Sequence, residues 1–313
     1  MSLKTSSTLA GDQVVVPGST ANLGGGFDTL GLAVQLYLRV RITDIRDDGG
    51  SRLQVTRSAP PVKGRNAVER AFEAMVARTG RRTPTVVAEV DSEIPMAAGL
   101  GSSAAATVAG VRLFEHVSGP VDAAVMLGVA ASLEGHADNA APSLHGGMTS
   151  VVDREGQDPL VLNWAWPEDL RIVTATPFTG LATAKARAAL APEIARRDAI
   201  FNLQRSLALV HALQTKEFGA LREAVRDRWH QPARAALVPH LAAVLALDDA
   251  DVLGAFLSGA GPTVAVLAHR NLPRVERLLE STCERAGVPV TVRTLAVHQP
   301  ASRDAGVAVG RTV

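Results

Sequence analysis

The sequence predicts an α+β protein of two domains, and three observations carry that expectation. At 313 residues and 47% hydrophobic content the chain can fill about two cores at ~100–200 residues per domain. Strand-like and helix-like segments alternate in both halves. A polar break over 153–168 separates the halves. We place the domains at 13–160 and 161–300, with tails at 1–12 and 301–313, where polar residues lack any pattern. The junction of two α+β layers is a natural place for a ligand cleft.

Val14–Val16, Leu36–Thr43, Leu53–Thr56 and Thr85–Val90 are short, β-branched and bounded by Gly, Pro or Asp, which predicts strands. From Asn66 to Thr79, Val68, Ala71, Phe72, Met75 and Val76 recur at helical spacing, and Gly80 closes the segment. Ser103–His116 and Asp122–Glu134 read as two more helices, the first rich in alanine, and Met148–Val152 returns to strand. Asp153–Asp158 reads as a polar turn. In the second half Leu170–Thr176, Ala255–Leu257, Val264–Leu267 and Thr291–Ala296 read as strands, and Asp198–His211, Phe218–Arg228 and Leu272–Ala286 as helices. There is no internal repeat.

Lys+Arg 32 against Asp+Glu 31 leaves a formal charge of +1, so no overall field draws the chain to nucleic acid, and any anion site must be local. The one cysteine, Cys283, excludes an internal disulfide, and the first ten residues lack the apolar stretch of a secretory signal. The uncharged stretches Ile94–Val111 and Val252–Ala268 are broken by Gly, Ser and Pro, which argues against membrane spans. These features predict a cytoplasmic protein with a small ligand.

The strongest chemical signal is Pro95-Met96-Ala97-Ala98-Gly99-Leu100-Gly101-Ser102-Ser103-Ala104-Ala105-Ala106, a small-residue loop entering a helix. Glycine permits positive φ and close backbone approach, and a helix N-terminus offers free N–H groups to an anion. Such a loop suits phosphate; it also suits a helix kept small so that another element can pack on it. The Walker pattern is absent. Gly99-x-Gly101-x-x-Ala104 lacks the strand spacing and the distal acid of a dinucleotide fold, and no G-x-S-x-G elbow surrounds Ser102 or Ser103. Two further glycine clusters occur at Pro17–Asp28, which embeds Asn22 and Asp28, and at Ser258–Thr263. Each could be an ordinary turn. Glu134-Gly135-His136-Ala137-Asp138-Asn139 ends a helix with carboxylates able to take Mg²⁺ or an ammonium. The eight histidines show no zinc spacing, which leaves His136 as a hydrogen-bonding residue. Arg187 and Arg234 are the basic candidates.

In this order, the segments resemble the kinase superfamily named for galactokinase, homoserine kinase, mevalonate kinase and phosphomevalonate kinase (GHMP). Over roughly residues 14–300 they are most similar to its homoserine kinases: Pro17–Gly31, Pro95–Ala106, Glu134–Met148, Ala199–Arg205, His230–Pro239 and Leu257–Thr263. The resemblance implies an N-terminal domain like ribosomal protein S5 domain 2 and a C-terminal ferredoxin-like domain. It implies ATP-dependent phosphorylation of L-homoserine for threonine biosynthesis, by a homodimer; the alternatives are a kinase of the same superfamily acting on another small alcohol, such as threonine or an isoprenoid precursor, and a nucleotide-binding regulator without transfer activity. The loop from Pro95 to Ala105 would wrap the ATP phosphates, with Asn66 near adenine, and Ser103 and Glu134 would hold Mg²⁺. Arg187 and Arg234 would take the substrate carboxylate, which suits a planar guanidinium. Asn22, Asp28, Asp138 and Asn139 would surround the amino group and hydroxyl. Thr183 would sit by the transferred phosphoryl, making Asp28, Thr183 and Arg187 the catalytic set. Three departures stand out. Gly18 and Gly25 replace common alanine and proline, predicting a looser first loop, and Glu134 lies closer to His136 than the metal glutamate of some relatives does to its histidine.

Overall fold

The computed structural model describes residues 9–62 and 64–299. Most of both expected tails lies outside them. Within the first, Leu9 is buried and Asp12 Oδ2 lies 2.8 Å from His116 Nε2. The first sheet is organised on one long strand. β1 (Gln13–Ala21) and β2 (Leu30–Arg46) are antiparallel, with a bulge between Pro17 and Gly18. β3 (Leu53–Ala59) leads into α1 (Ala67–Thr79) and then β4 (Thr85–Ser92), which lies parallel to β3; a parallel pair needs such a crossover. β4 pairs with residues 38–46 of β2. After α2 (Ser102–Ser118), α3 (Ala123–Glu134) and α4 (Ala140–His145), β5 (Met148–Arg154) pairs with the start of β2, and β6 (Gln157–Trp164) folds back on β5.

Local chemistry explains the helices. Asn66 caps α1 by accepting from Val68 N at 3.0 Å, and Gly80 ends it at φ 66. α2 carries small residues because it runs through the core. Ala104, Ala105 and Ala109 are buried, and a Cβ on Gly110 would run into the Val68 carbonyl of α1. The two readings of the small-residue segment therefore divide along its length: the loop faces a cavity, and the helix behind it packs against α1.

The second sheet comprises β7 (Arg171–Pro177), β8 (Gly254–Leu257), β9 (Val264–Ala268) and β10 (Val290–Leu295), in the order β10-β7-β9-β8, all antiparallel. Between β7 and β8 lie α5 (Thr183–Ala188), α6 (Arg196–Thr215), α7 (Leu221–Ala224), α8 (His230–Arg234) and α9 (Leu241–Leu245); α10 (Leu272–Arg285) joins β9 to β10. Fourth, first, third, second is the strand order of a ferredoxin-like β-α-β-β-α-β unit. Side chains alternate across this sheet. Ile172, Phe256, Ala265 and Leu267 join the core of the first half, whereas Val173, Leu257, Val264 and Val266 pack with Leu241 of α9 and Leu279 of α10. Beyond β10, Val297 bridges to Val34, tying the second sheet back to β2.

Some sequence expectations need correction. Phe218–Arg228 is not one helix: a 3₁₀ turn at Phe218–Ala220 precedes α7, which stops at Ala224. β6 went unread, and the polar stretch before it is the tip of the β5–β6 hairpin. β6 runs through residue 160, and the chain passes from the first sheet to the second over 165–170. The loose first loop is not found either. A Cβ on Gly24 would run into the Val225 carbonyl, and one on Gly25 would lie 3.0 Å from the Asn202 carbonyl, so this glycine loop is packed, not slack.

Candidate active site

The loop before α2 turns on glycines that the fold requires. Gly99 and Gly101 have φ of 79 and 70, and Gly101 is the N-cap of α2 with no side chain bonded to the first turn, so those N–H groups stay open to an anion. The other two glycine clusters brace this loop. Ser19 N donates to Leu100 O at 3.1 Å from β1, while Ser258 Oγ donates to Gly99 O at 2.6 Å and Thr263 N to Ala98 O at 3.2 Å from the β8–β9 turn. A Cβ on Gly101 would meet Ser19 Oγ. Gly101→Ala should therefore destabilise the protein by ~1–3 kcal/mol through positive φ and this collision. Denaturant unfolding checks it: Ser19→Ala in the same chain should recover part of the loss, and a single variant as stable as the parent would contradict the packing.

Two cavities meet at the loop. The first, about 110 Å³, is lined by Asn22, Phe27, Asp28, Gly99, Gly101, Ser102, Ser103, Glu134, His136, Asp138, Asn139, Thr183, Arg187 and Arg234. The second, about 310 Å³, is lined by Leu38, Pro60, Val62, Arg65, Asn66, Arg70, Val90, Met96 and Ala106, and shares Ala97, Ser102 and Ser103 with the first. Pro95, Leu100 and Ala105 line neither. Asn66 is at once a wall of the second cavity and the cap of α1.

The small cavity alternates charge. Arg187 donates from Nη1 and Nη2 to the two carboxylate oxygens of Asp28, at 3.0 and 2.9 Å, a bidentate pair between α5 and the loop after β1. Asn22 holds that loop in place, accepting from Asp28 N at 3.0 Å and donating to Gly259 O at 2.9 Å. Arg234 is buried. Its Nε donates to Ala186 O at 3.2 Å and its Nη1 to Gly259 O at 3.1 Å; burial first, then the neighbouring Arg187, lowers its pKa. Asp138 is buried and accepts from His136 Nδ1 at 2.6 Å, a bond that raises the His136 pKa against the opposing effect of burial. Asn139 Oδ1 accepts from Ser19 Oγ at 3.0 Å. Phe27 and His136 complete the wall; sequence reasoning had not placed either in the site, and only their neighbours in the two motifs signalled them.

Glu134 Oε1, at the end of α3, accepts from Ser103 Oγ at 3.0 Å and from Thr107 Oγ1 at 2.6 Å. A carboxylate and a hydroxyl beside a phosphate-binding helix terminus are hard oxygen donors, the kind Mg²⁺ takes when phosphates supply most of its shell. These residues fit that ion. Among the described residues, no helix is long and apolar enough to cross a membrane.

Residues 66–147 match the GHMP kinases N terminal domain and residues 209–288 the GHMP kinases C terminal domain, which sets the class. Among curated proteins, the homoserine kinase of Thermus thermophilus is 40% identical over 260 residues, 82% of this chain and 87% of that one. That of Moorella thermoacetica is 35% identical over 288 residues, 90% of this chain and 96% of that one. The solved homoserine kinase from Cytophaga hutchinsonii superposes with a TM-score of 0.80 at 25% identity, covering 96% of this chain and 97% of that one. The L. major mevalonate kinase shares the fold, with a TM-score of 0.65 at 16% identity over 92% of this chain and 96% of that one. The chain belongs to the homoserine kinase family.

Proposed function

We propose that this protein transfers the γ-phosphoryl group of ATP to the side-chain hydroxyl of L-homoserine, giving O-phospho-L-homoserine for threonine biosynthesis. The observation that carries it is the small cavity, in which Arg187 and Arg234 stand with Asp28 and Asp138 beside the Gly99–Ser103 loop. An α-amino acid offers a carboxylate to the arginines and an ammonium to the acids, and its hydroxyl then points toward the loop. The nucleoside of ATP takes the larger cavity, and its phosphates cross the first turn of α2 where the cavities share Ser102 and Ser103.

Phosphoryl transfer passes through a loose transition state, so positioning and charge neutralisation matter more than a strong base. Asp28 is then chiefly an anchor for the ammonium, released from Arg187 when the zwitterion arrives and gives each its own partner. Thr183, at the start of α5 and on the cavity wall, orients the transferred phosphoryl. Ser103 and Glu134 hold Mg²⁺, which when bound neutralises phosphate charge. We place the enzyme in the cytoplasm, as a homodimer. The exposed stripe Ile200, Leu203 and Leu207 on α6 supports the second point.

Coupled ADP release tests the assignment across L-homoserine, L-threonine, L-serine and mevalonate. L-Homoserine should give the highest kcat/KM. L-Serine, one methylene shorter, should fall by ~10–200-fold. Equal or better use of mevalonate, which lacks an ammonium, would overturn the substrate reading.

A further inference from the structure

The segment His230-Gln231-Pro232-Ala233-Arg234 forms α8, and its first and last residues lie one turn apart on the same face. His230 is fully buried. Its Nε2 lies 2.9 Å from the Gly24 carbonyl, which can only accept, so Nε2 carries the hydrogen. Its Nδ1 lies 3.2 Å from Arg234 Nη1, which can only donate, so Nδ1 offers its lone pair. One protonation state satisfies both contacts, the neutral ring with hydrogen on Nε2. A charged ring would set a second N–H against the guanidinium.

The surroundings keep that state. The ring stacks on Phe27 with centroids 5.2 Å apart and planes at 21°, and Arg234 Cζ lies 5.4 Å from the same Phe27 ring. Four groups bear on it: Asp227 from the turn before α8, Arg234 on α8, and Asp28 and the Gly24 carbonyl from the loop after β1. Asp227 Oδ2 comes within 3.6 Å of Nε2, but its carboxylate already accepts from Asn202 Nδ2 at 2.6 Å, Trp229 N at 2.9 Å and Gln231 N at 2.7 Å. Burial outweighs the pull of Asp227 and holds the imidazole below its ordinary range.

We infer that His230 is a positioning residue for Arg234: its Nδ1 and the carbonyls of Ala186 and Gly259 engage Nη1 and Nε, leaving Nη2 for a carboxylate in the cavity. This rests on the reading of Arg234 as a carboxylate-binding group. The geometry gives a role to His230, which lines neither cavity, and it makes amino-acid binding sensitive to one buried proton.

Two substitutions separate the two faces of the ring. His230→Asn can place Oδ1 where Nδ1 was and so keep an acceptor for Arg234, while losing the donor to Gly24. His230→Gln can reach Gly24 with Nε2 but offers nothing at the Nδ1 position. The expected split is a homoserine KM at least about tenfold higher in His230→Gln and within about threefold of the parent in His230→Asn, with the ATP KM and kcat near the parent values in both. Melting temperatures show that each variant is folded. In the parent, the homoserine KM should gain a rise at acid pH as Nδ1 takes a proton, and His230→Asn should lack that rise. Nitrogen NMR of the imidazoles reads the tautomer directly. Hydrogen on Nδ1, a charged ring at neutral pH, or equal effects of Asn and Gln overturns the inference. Should the tautomer be as described while Arg234→Ala leaves the homoserine KM unchanged, the fault lies in the carboxylate reading, not in the hydrogen bond.

Discussion

Arg234→Ala is expected to raise the homoserine KM by ~10–150-fold while the ATP KM stays within about twofold, because a hydrogen bond to a charged group contributes ~1.5–3 kcal/mol. The asymmetry follows from the two cavities: Arg234 lines the small one and not the larger. Lysine at this position should rescue poorly. The guanidinium bonds the Ala186 and Gly259 carbonyls and the His230 ring from nitrogens in one plane, and a single ammonium cannot reproduce that fork. Arg187→Ala should act in the same direction, but less cleanly. It removes a carboxylate partner and also frees Asp28, whose two oxygens Arg187 holds at 2.9 and 3.0 Å. Initial rates with homoserine and ATP varied separately decide the matter. Normal homoserine kinetics in both alanine variants would remove the arginines from the substrate site.

The second large effect belongs to Glu134. Glutamine keeps an oxygen that can accept from Ser103 and Thr107, so the fold around α2 and α3 should survive, but the negative charge is gone. With several kcal/mol of charge neutralisation at stake, turnover at ordinary Mg²⁺ should fall by roughly 10²-fold or more and recover in part as Mg²⁺ is raised. A Glu134→Gln enzyme indifferent to Mg²⁺ would move the metal site elsewhere. By contrast, Asp28→Asn should raise the homoserine KM more than it lowers kcat. A collapse of kcat alone would make Asp28 a general base, since such a base contributes ~10²–10⁴-fold.

What the sequence reveals follows the reach of each interaction. α1 is legible because everything that makes it is local: an Asn66 cap, helical spacing of buried residues, and Gly80 at the end. The Gly99–Ser103 loop is legible because its two positive-φ positions, Gly99 and Gly101, carry glycine, which adopts that conformation without a Cβ penalty. Phe218–Arg228 misleads because Phe218, Leu221 and Val225 are spaced as in a helix; the turn there instead brings the Val225 carbonyl against Gly24, two hundred residues away in sequence. β6 misleads for another reason. It is an edge strand with Pro159 in it and with Leu160 and Leu162 exposed, so no alternation of buried residues marks it.

The site divides in the same way. Its residue types stand out in clusters, but the pairing of Asp28 with Arg187 spans 159 positions and the contact of His230 with Gly24 spans 206, and no spacing rule reaches so far. The resemblance to a family brought the two arginines together before the fold did; the fold adds what each of them touches.

The most direct test of the account replaces the substrate carboxylate with hydrogen. Compare kcat/KM for L-homoserine and for 3-aminopropan-1-ol in the parent and in the Arg187→Ala/Arg234→Ala double variant. If the arginines bind the carboxylate, its removal should cost the parent at least ~10²-fold and the double variant less than about tenfold. An equal loss in both enzymes would mean that the carboxylate is held elsewhere, and the reading of the small cavity as an amino-acid site would be wrong.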